Sequence, residues 1–275
     1  MQWAGNLRKL ETSAQANEFG QVDYTLRGAD KLETLPAEGV NAWVGQRIQI
    51  QFDGQIHCRV TGQSIRKPYG EGMSYQAWVE HPSAVESVLR PELSRIHEGI
   101  ALRDFEWEQK HHNQPHYVYL SQTGAFKVGV TRTTNRPSRW HDQGAVAAVA
   151  IAETPYRQLA GEMEVALKEI VSDKTNFRKM LADVQPDPFA LEELREECFE
   201  HLGASYEPFF IDEFPEEFKY PVLAYPEKVN SMTLDKVPLI EGMLRGIKGQ
   251  YLIFDEGRVM NVRRHSGYHV RIQVD

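Results

Sequence analysis

The chain runs to 275 residues with a net charge of −8 at pH 7 and a pI near 5.7, and its composition is ordinary for a globular protein. That length can bury a sizeable core in two or three substructures, and the acidic balance argues against indiscriminate nucleic-acid binding while leaving a local basic groove open. No apolar run approaches membrane-spanning length, residues 1–15 lack the apolar core of a signal peptide, and two widely spaced cysteines, Cys58 and Cys198, read as free thiols, so a cytoplasmic protein with no membrane association is expected.

Residues 1–65 read as an N-terminal β region. Residues 22–26 alternate up to Arg27-Gly28, and Ile48, Ile50 and Phe52 share one face of a period-two strand. Asp53-Gly54 is a type I′ turn signal, so residues 55–60 are expected to return as the second strand of a hairpin.

Residues 66–114 form a connector with a zinc-ribbon outline that lacks its ligands. A zinc knuckle usually reads Cys-x-x-Cys-Gly after a hairpin; Cys58-Arg59-Val60-Thr61-Gly62 offers one thiolate, and Ser74 and Ala77 stand where the opposing pair would be. One thiolate and a hydroxyl do not hold structural zinc, so none is expected, and packing among Tyr69, Tyr75 and Trp78 takes over its contribution. His57, His81, His97, His111, His112 and His116 flank this stretch at spacings that fit no compact metal site. Pro82 and Pro91 break the following segment into short helices at 84–89 and 92–98, with Phe105 and Trp107 as anchors.

Residues 115–182 are the unit around which the rest is organised. Residues 117–120 and 126–130 are β-branched and aromatic strands around a turn at Gln122-Thr123-Gly124. A helix-sized segment surrounds Arg139, residues 146–152 are an apolar run of buried-strand length, and residues 158–171 place Leu159, Met163, Ala166, Leu167 and Ile170 at helical spacing. Residues 183–235 are an acidic helix, 188–202, followed by an aromatic, proline-rich connector; the helix carries Leu194, Cys198 and Leu202 on one face and five glutamates outside, either a solvated face or a surface for a basic partner. Residues 236–275 return to short strands punctuated by glycine and are expected to pair with the N-terminal region in an accessory sheet or small barrel, giving an α+β protein. Arg263 and Arg264 there are candidates for phosphate contact, with a scattered basic surface as the alternative.

An aromatic strand, a second strand ending in Gly-x-Thr, an Arg soon after and a Glu in a later helix resemble the GIY-YIG nuclease domain. Tyr117-Val118-Tyr119 stands where Gly-Ile-Tyr would be, and Lys127-Val128-Gly129 where Tyr-Ile-Gly would be. Arg139 falls near the catalytic Arg of that family, with Arg136 as the alternative match, Glu164 near its metal-binding Glu, and Asn176 near a late polar residue. The string from Lys127-Val128-Gly129 to Phe177-Arg178-Lys179-Met180-Leu181 also resembles an uncharacterised bacterial family that carries this module in its middle; members of it have cysteines in the ribbon region. The nuclease resemblance implies Mg²⁺ on Glu164, Arg139 on a phosphate, Tyr119 activating water, and Lys127 lowering the pKa of that phenol. Arg132 and Arg136 would extend the nucleic-acid contact. Each residue also has a structural reading: Tyr119 as a core aromatic, Arg139 paired with Asp142 or Glu162, Glu164 as a solvated helix position. Two function classes therefore stand: a metal-dependent nuclease, or a non-catalytic scaffold that binds nucleic acid or a protein partner.

Overall fold

A computed structural model of the chain describes residues 1–275. It is a mixed α+β structure whose fourteen strands lie in two sheets. The chain opens with strands β1 (Gln2–Thr12), β2 (Tyr24–Asp30), the two-residue β3 (Glu33–Thr34) and β4 (Glu38–Gly39), and the long β5 (Arg47–Ile56), followed by helix α1 (Tyr75–Glu80). Next come α2 (Phe105–His112), the antiparallel pair β6 (His116–Gln122) and β7 (Phe126–Arg132), α3 (Ser138–Asp142), β8 (Ala147–Thr154), α4 (Arg157–Leu167), α5 (Phe177–Met180), α6 (Pro188–Leu202) and β9 (Glu216–Glu217). The chain ends with β10 (Asn230–Met232), β11 (Leu239–Lys248), β12 (Tyr251–Phe254), β13 (Arg258–Asn261) and β14 (Tyr268–Val274). Residues 1–79, 181–183 and 219–275 form one compact unit, and residues 80–180 and 184–218 form another. No helix is long and apolar enough to cross a membrane.

In the first unit the strands follow the order β10-β13-β12-β11-β5-β14-β1-β2-β3, with β4 also on β2. The two ends of the chain thus pair in mid-sheet, β1 against β14 and β14 against β5. The alternation of β14 explains its place there: Tyr268, Val270, Ile272 and Val274 are buried while Arg271 and Gln273 are exposed. The sheet stays open, so the accessory element is a sheet and not a barrel.

The hairpin expected at Asp53-Gly54 does not form. β5 runs on through both residues to Ile56 and pairs with β14 instead of with residues 55–60. The register jumps between Val270↔Phe52 and Tyr268↔Ile56, so the Asp-Gly pair is absorbed as a bulge, with Gly54 at φ 85°. His269 Nδ1 meets the Asp53 carboxylate at 2.6 Å and pins it. Pairing along the sheet outweighs the local turn signal.

The second unit is built on a four-stranded sheet in the order β7-β6-β8-β9. β8 is buried along nearly its whole length, as its run of alanine, valine and isoleucine requires of an interior strand. On one face Val118, Leu120, Val128, Val149 and Ile151 pack with Met163 and Leu167 of α4 and Leu191, Cys198 and Leu202 of α6. On the other face Tyr119, Ala148 and Ala150 pack with Trp140 of α3. The outer edge of β7 is covered by the segment after α4, through a hydrogen bond from Val128 N–H to the Ser172 carbonyl at 2.9 Å.

The helices expected at 84–89 and 92–98 are instead four single 3₁₀ turns, at Pro82–Ala84, Glu86–Val88, Pro91–Leu93 and Ile96–Glu98, because the prolines leave no room for a longer helix. Phe105 is exposed; α2 is held by Glu108, whose buried carboxylate accepts the N–H groups of Leu102 (3.0 Å), Arg103 (2.7 Å) and Asp104 (3.1 Å). α4 abuts the Pro91–Leu93 turn at Gly161, where a Cβ would lie 2.2 Å from the Glu92 nitrogen and 2.5 Å from the Pro91 carbonyl carbon. Gly161→Ala is therefore expected to destabilise the protein by about 1–3 kcal/mol, despite the better helix propensity of alanine. Urea unfolding of both proteins measures this, and an unchanged or higher midpoint would contradict the close packing.

Candidate active site

Four elements of the second unit bring their polar side chains together. Tyr119 stands in mid-β6 directly opposite Gly129 of β7. A Cβ at position 129 would be 2.6 Å from the Tyr119 hydroxyl, so glycine is what lets the ring lie across the neighbouring strand. The ring meets Trp140 edge-on at 5.9 Å. Its hydroxyl accepts a hydrogen bond from Gln143 Nε2 at 2.9 Å and another from Arg139. Gly144, at φ 70°, ends this turn of the chain after α3. Trp140 and Gln143 of this turn thus hold Tyr119.

Tyr119 has no solvent exposure. Burial raises its pKa, and Arg139 and Gln143 only partly oppose that. The shift is opposite to the lowering expected from Lys127, and the side chain is a neutral phenol at pH 7. Lys127, also buried, is the group brought towards neutrality: desolvation, then the charge of Arg139, lowers its pKa to about 8. Its ammonium donates to the Asp173 carbonyl (3.3 Å) and faces the Thr175 hydroxyl (3.5 Å).

Glu164, on α4, is within electrostatic reach of Tyr119, Lys127 and Arg157. Burial raises its pKa against the pull of Lys168 and Lys127, with Asp173 adding to the rise. Lys168, one turn on, places its Nζ 3.5 Å from Glu164 Oε2 and 3.3 Å from Asp173 Oδ2. Two carboxylates therefore meet at one cationic nitrogen. No group of three or more His, Cys, Asp or Glu side chains is arranged to hold a metal ion.

Arg139 also lines a pocket of about 240 Å³ with Arg132, Arg157 and His112. Arg136 points elsewhere: it is paired with Glu213 and Glu216 and lies over the rings of Trp140 (4.7 Å) and Tyr117 (5.6 Å). Asn176 caps α5, accepting from the N–H groups of Arg178 and Lys179. Arg263 and Arg264 belong to the first unit, where Arg263 is paired with Glu71 and Arg264 is exposed. In that unit too, Cys58 Sγ accepts the Ser74 N–H at 3.1 Å, and the Ser74 hydroxyl accepts the Ala77 N–H at 3.1 Å. Burial opposes ionisation of Cys58, but hydrogen bonds from the Thr61 side chain and nearby backbone amides bring the thiol down to about 7.

A family model described as a protein of unknown function, DUF2797, matches residues 45–270. The chain belongs to that family. The DUF2797 match runs from the approach to β5 into β14 and takes in Tyr119, Lys127, Arg139 and Glu164. No curated protein and no solved structure matches the chain.

Gln143, Arg157, Lys168 and Asp173 escaped the sequence reading. Lys168 carried the only local signal, its i,i+4 spacing from Glu164 on an amphipathic helix.

The histidines near the pocket give the unit a pH dependence. Burial, then the charge of Arg157, depresses His112 and His116 to about 3. The unfolded chain binds these protons first as the pH falls, so the stability they confer is full above about 6.5 and is lost between there and 3. Each is expected to remove about 2 kcal/mol on going from pH 7 to 5. Chemical denaturation across that range tests this, with His112→Gln expected to reduce the slope; a flat profile in the wild type would refute it.

Proposed function

We propose that the second unit is a divalent-cation-dependent phosphodiesterase acting on nucleic acid, built on a GIY-YIG-like nuclease frame. The observation that carries the reading is that Arg139, bonded to the hydroxyl of Tyr119, stands within electrostatic reach of Lys127, which is in turn within reach of Glu164, beside an arginine-lined pocket. Arg139 presents a planar guanidinium to phosphate oxygens, and Tyr119 is a positioning residue that anchors it. Lys127, with its pKa near 8, is the group whose proton can move close to neutral pH.

The donor chemistry fits a hard cation. The Lys168 ammonium stands between the Glu164 and Asp173 carboxylates, and Mg²⁺ is commonly held by one or two carboxylates plus water. When bound there, the cation would neutralise charge on a phosphoryl oxygen and lower the pKa of a coordinated water. Glu164 would hold it, with Asp173 alongside and Lys168 displaced. Arg132 extends the phosphate-binding surface. Arg136, committed to two carboxylates, serves the fold, and Arg263 and Arg264 lie in the first unit.

The region around Cys58 fits the same reading as a zinc ribbon that has lost its metal. Cys58 and Ser74 meet where two ligands would, and Tyr69, Tyr75 and Trp78 cluster beside them with ring centroids 5.2 to 6.2 Å apart.

A second reading, a non-catalytic scaffold that binds nucleic acid or a protein, draws on the complete burial of Tyr119 and the pairing of Glu164 with Lys168. The experiment that separates the two is Mg²⁺- and Mn²⁺-dependent cleavage of a panel of DNA and RNA structures. Cleavage is expected to fall about a hundredfold or more in Glu164→Ala and in Arg139→Ala. Absence of metal-dependent cleavage across the panel, or cleavage that survives Glu164→Ala, would turn the assignment to the scaffold.

A further inference from the structure

The pocket beside Arg139 carries more charge than the proposed reaction uses. Arg132, Arg139 and Arg157 line it together with His112 and the stacked pair Trp107 and His111, whose ring centroids are 4.2 Å apart. Arg157 is positioned by carbonyls: its Nε donates to Ser87 at 2.7 Å and its Nη2 to Val88 at 2.9 Å. Those bonds fix the guanidinium without neutralising it. Arg132 donates only to the Asn135 side chain. Neither forms an ion pair; Glu164 and Glu92 act on Arg157 only at longer range. Burial lowers the pKa of both arginines, and in Arg157 the charges of Arg139 and Arg132 add to the effect. His112 stays neutral and contributes no charge.

Two partly desolvated guanidinium groups at one pocket, neither with a carboxylate in contact, are costly in a free protein and favour an anionic ligand. The forks suit a tetrahedral oxyanion, and two cations match the two charges of a phosphate monoester better than the single charge of an internal phosphodiester. The volume is below the ~300–1,000 Å³ of sites that enclose a whole drug-sized ligand, so it takes a phosphate head with the remainder outside. Trp107, half-buried on the pocket wall, offers a flat face to the adjoining sugar or base.

We infer that this pocket receives the terminal phosphate monoester of a nucleic-acid strand, seated by Arg132 and Arg157 beside the phosphate that Arg139 contacts. The assignment deepens the proposed nuclease reading but its binding step stands without metal or cleavage. It makes the protein a reader of phosphorylated strand ends, acting at or near them.

Binding of the full chain is measured without metal, by Trp fluorescence and calorimetry, to matched oligonucleotides with a phosphate or a hydroxyl at the 5′ or the 3′ end. Inorganic phosphate serves as competitor. One phosphorylated end is expected to bind roughly tenfold to a hundredfold tighter than its hydroxyl counterpart, and inorganic phosphate to erode the difference. Arg132→Gln is expected to abolish the preference, and Arg157→Lys, which keeps a donor for the Ser87 and Val88 carbonyls, to weaken it. Glu164→Ala is expected to keep it, which separates the pocket from the cleavage site. Equal binding of phosphorylated and hydroxyl ends overturns the inference even if the protein cleaves internal bonds. So does binding of inorganic phosphate without discrimination between strand ends, or a preference that survives Arg132→Gln in a folded variant.

Discussion

The second unit turns on one close approach, that of the Tyr119 ring to the backbone of Gly129. The ring can cross β7 only because no side chain stands at position 129. Once there, it fills the space between the sheet and Trp140, and its hydroxyl becomes a buried acceptor that must be satisfied. Gln143 and Arg139 satisfy it, and both lie on the short stretch that begins with α3. The position of α3, and with it the direction of the Arg139 guanidinium, therefore depends on a glycine in a different element. Arg136 secures the same stretch from its other end: its guanidinium lies over Trp140 and is paired with Glu213 and Glu216, the second of these in β9. A cation stacked on an aromatic ring and held by two carboxylates is a stiff strut, in a geometry that a lysine would not reproduce.

Around this strut the charges are arranged at a cost. Lys127, Arg157 and Glu164 are all substantially removed from water, and burial shifts each towards its neutral form. Mutual attraction offsets part of that cost: Glu164 raises the pKa of Lys127 and Arg157, and Lys168 lowers that of Glu164. The compensation is uneven. Near Lys168 the carboxylates of Glu164 and Asp173 balance the cations, whereas at Arg132 and Arg157 only neutral acceptors are in contact. A purely structural network tends to pair its buried ions, since an unpaired one is strongly destabilising. Perturbed, unevenly compensated groups beside a pocket are instead a pattern found more often at functional sites than in purely structural networks.

The elements legible in the sequence were those whose burial follows their own periodicity. β6, β7, β8, α4, α6 and the C-terminal strands β11 to β14 could be read from alternation, apolar runs and helical spacing. β1 could not: Arg8 and Lys9 interrupt its apolar pattern at the point where its register with β2 shifts, between Leu7 and Leu10. Asp53-Gly54 misled because a local turn preference of modest size competes with a strand paired along its length. α2 was hidden for another reason. Its polar sequence shows no apolar face, and its start is fixed by Glu108 capturing backbone amides, an arrangement that leaves no periodic trace. At the site, the side chains named in advance came from their order along a familiar pattern of strands and helices. The partners that set their chemistry, Gln143, Asp173 and Arg157, lie within reach only after the sheet and α4 have packed, and nothing in their own neighbourhoods marks them.

The charge of the whole chain bears on how such a site would discriminate. A protein of net charge −8 repels a polyanion at long range, and within the second unit α6 adds an exposed acidic face through Glu193, Glu196, Glu197 and Glu200. Non-specific attraction, which grows with the number of phosphates neutralised, is thereby suppressed. If the pocket binds a phosphate, it would do so at short range, through a few partly desolvated guanidinium groups whose field is less screened by salt than that of surface charges. Such an arrangement trades association rate for selectivity. It suits a site that engages one phosphate in a defined setting better than one that slides along a duplex, because a rigid, partly buried fork rewards a phosphate that can enter the pocket and gives little to one on a smooth backbone.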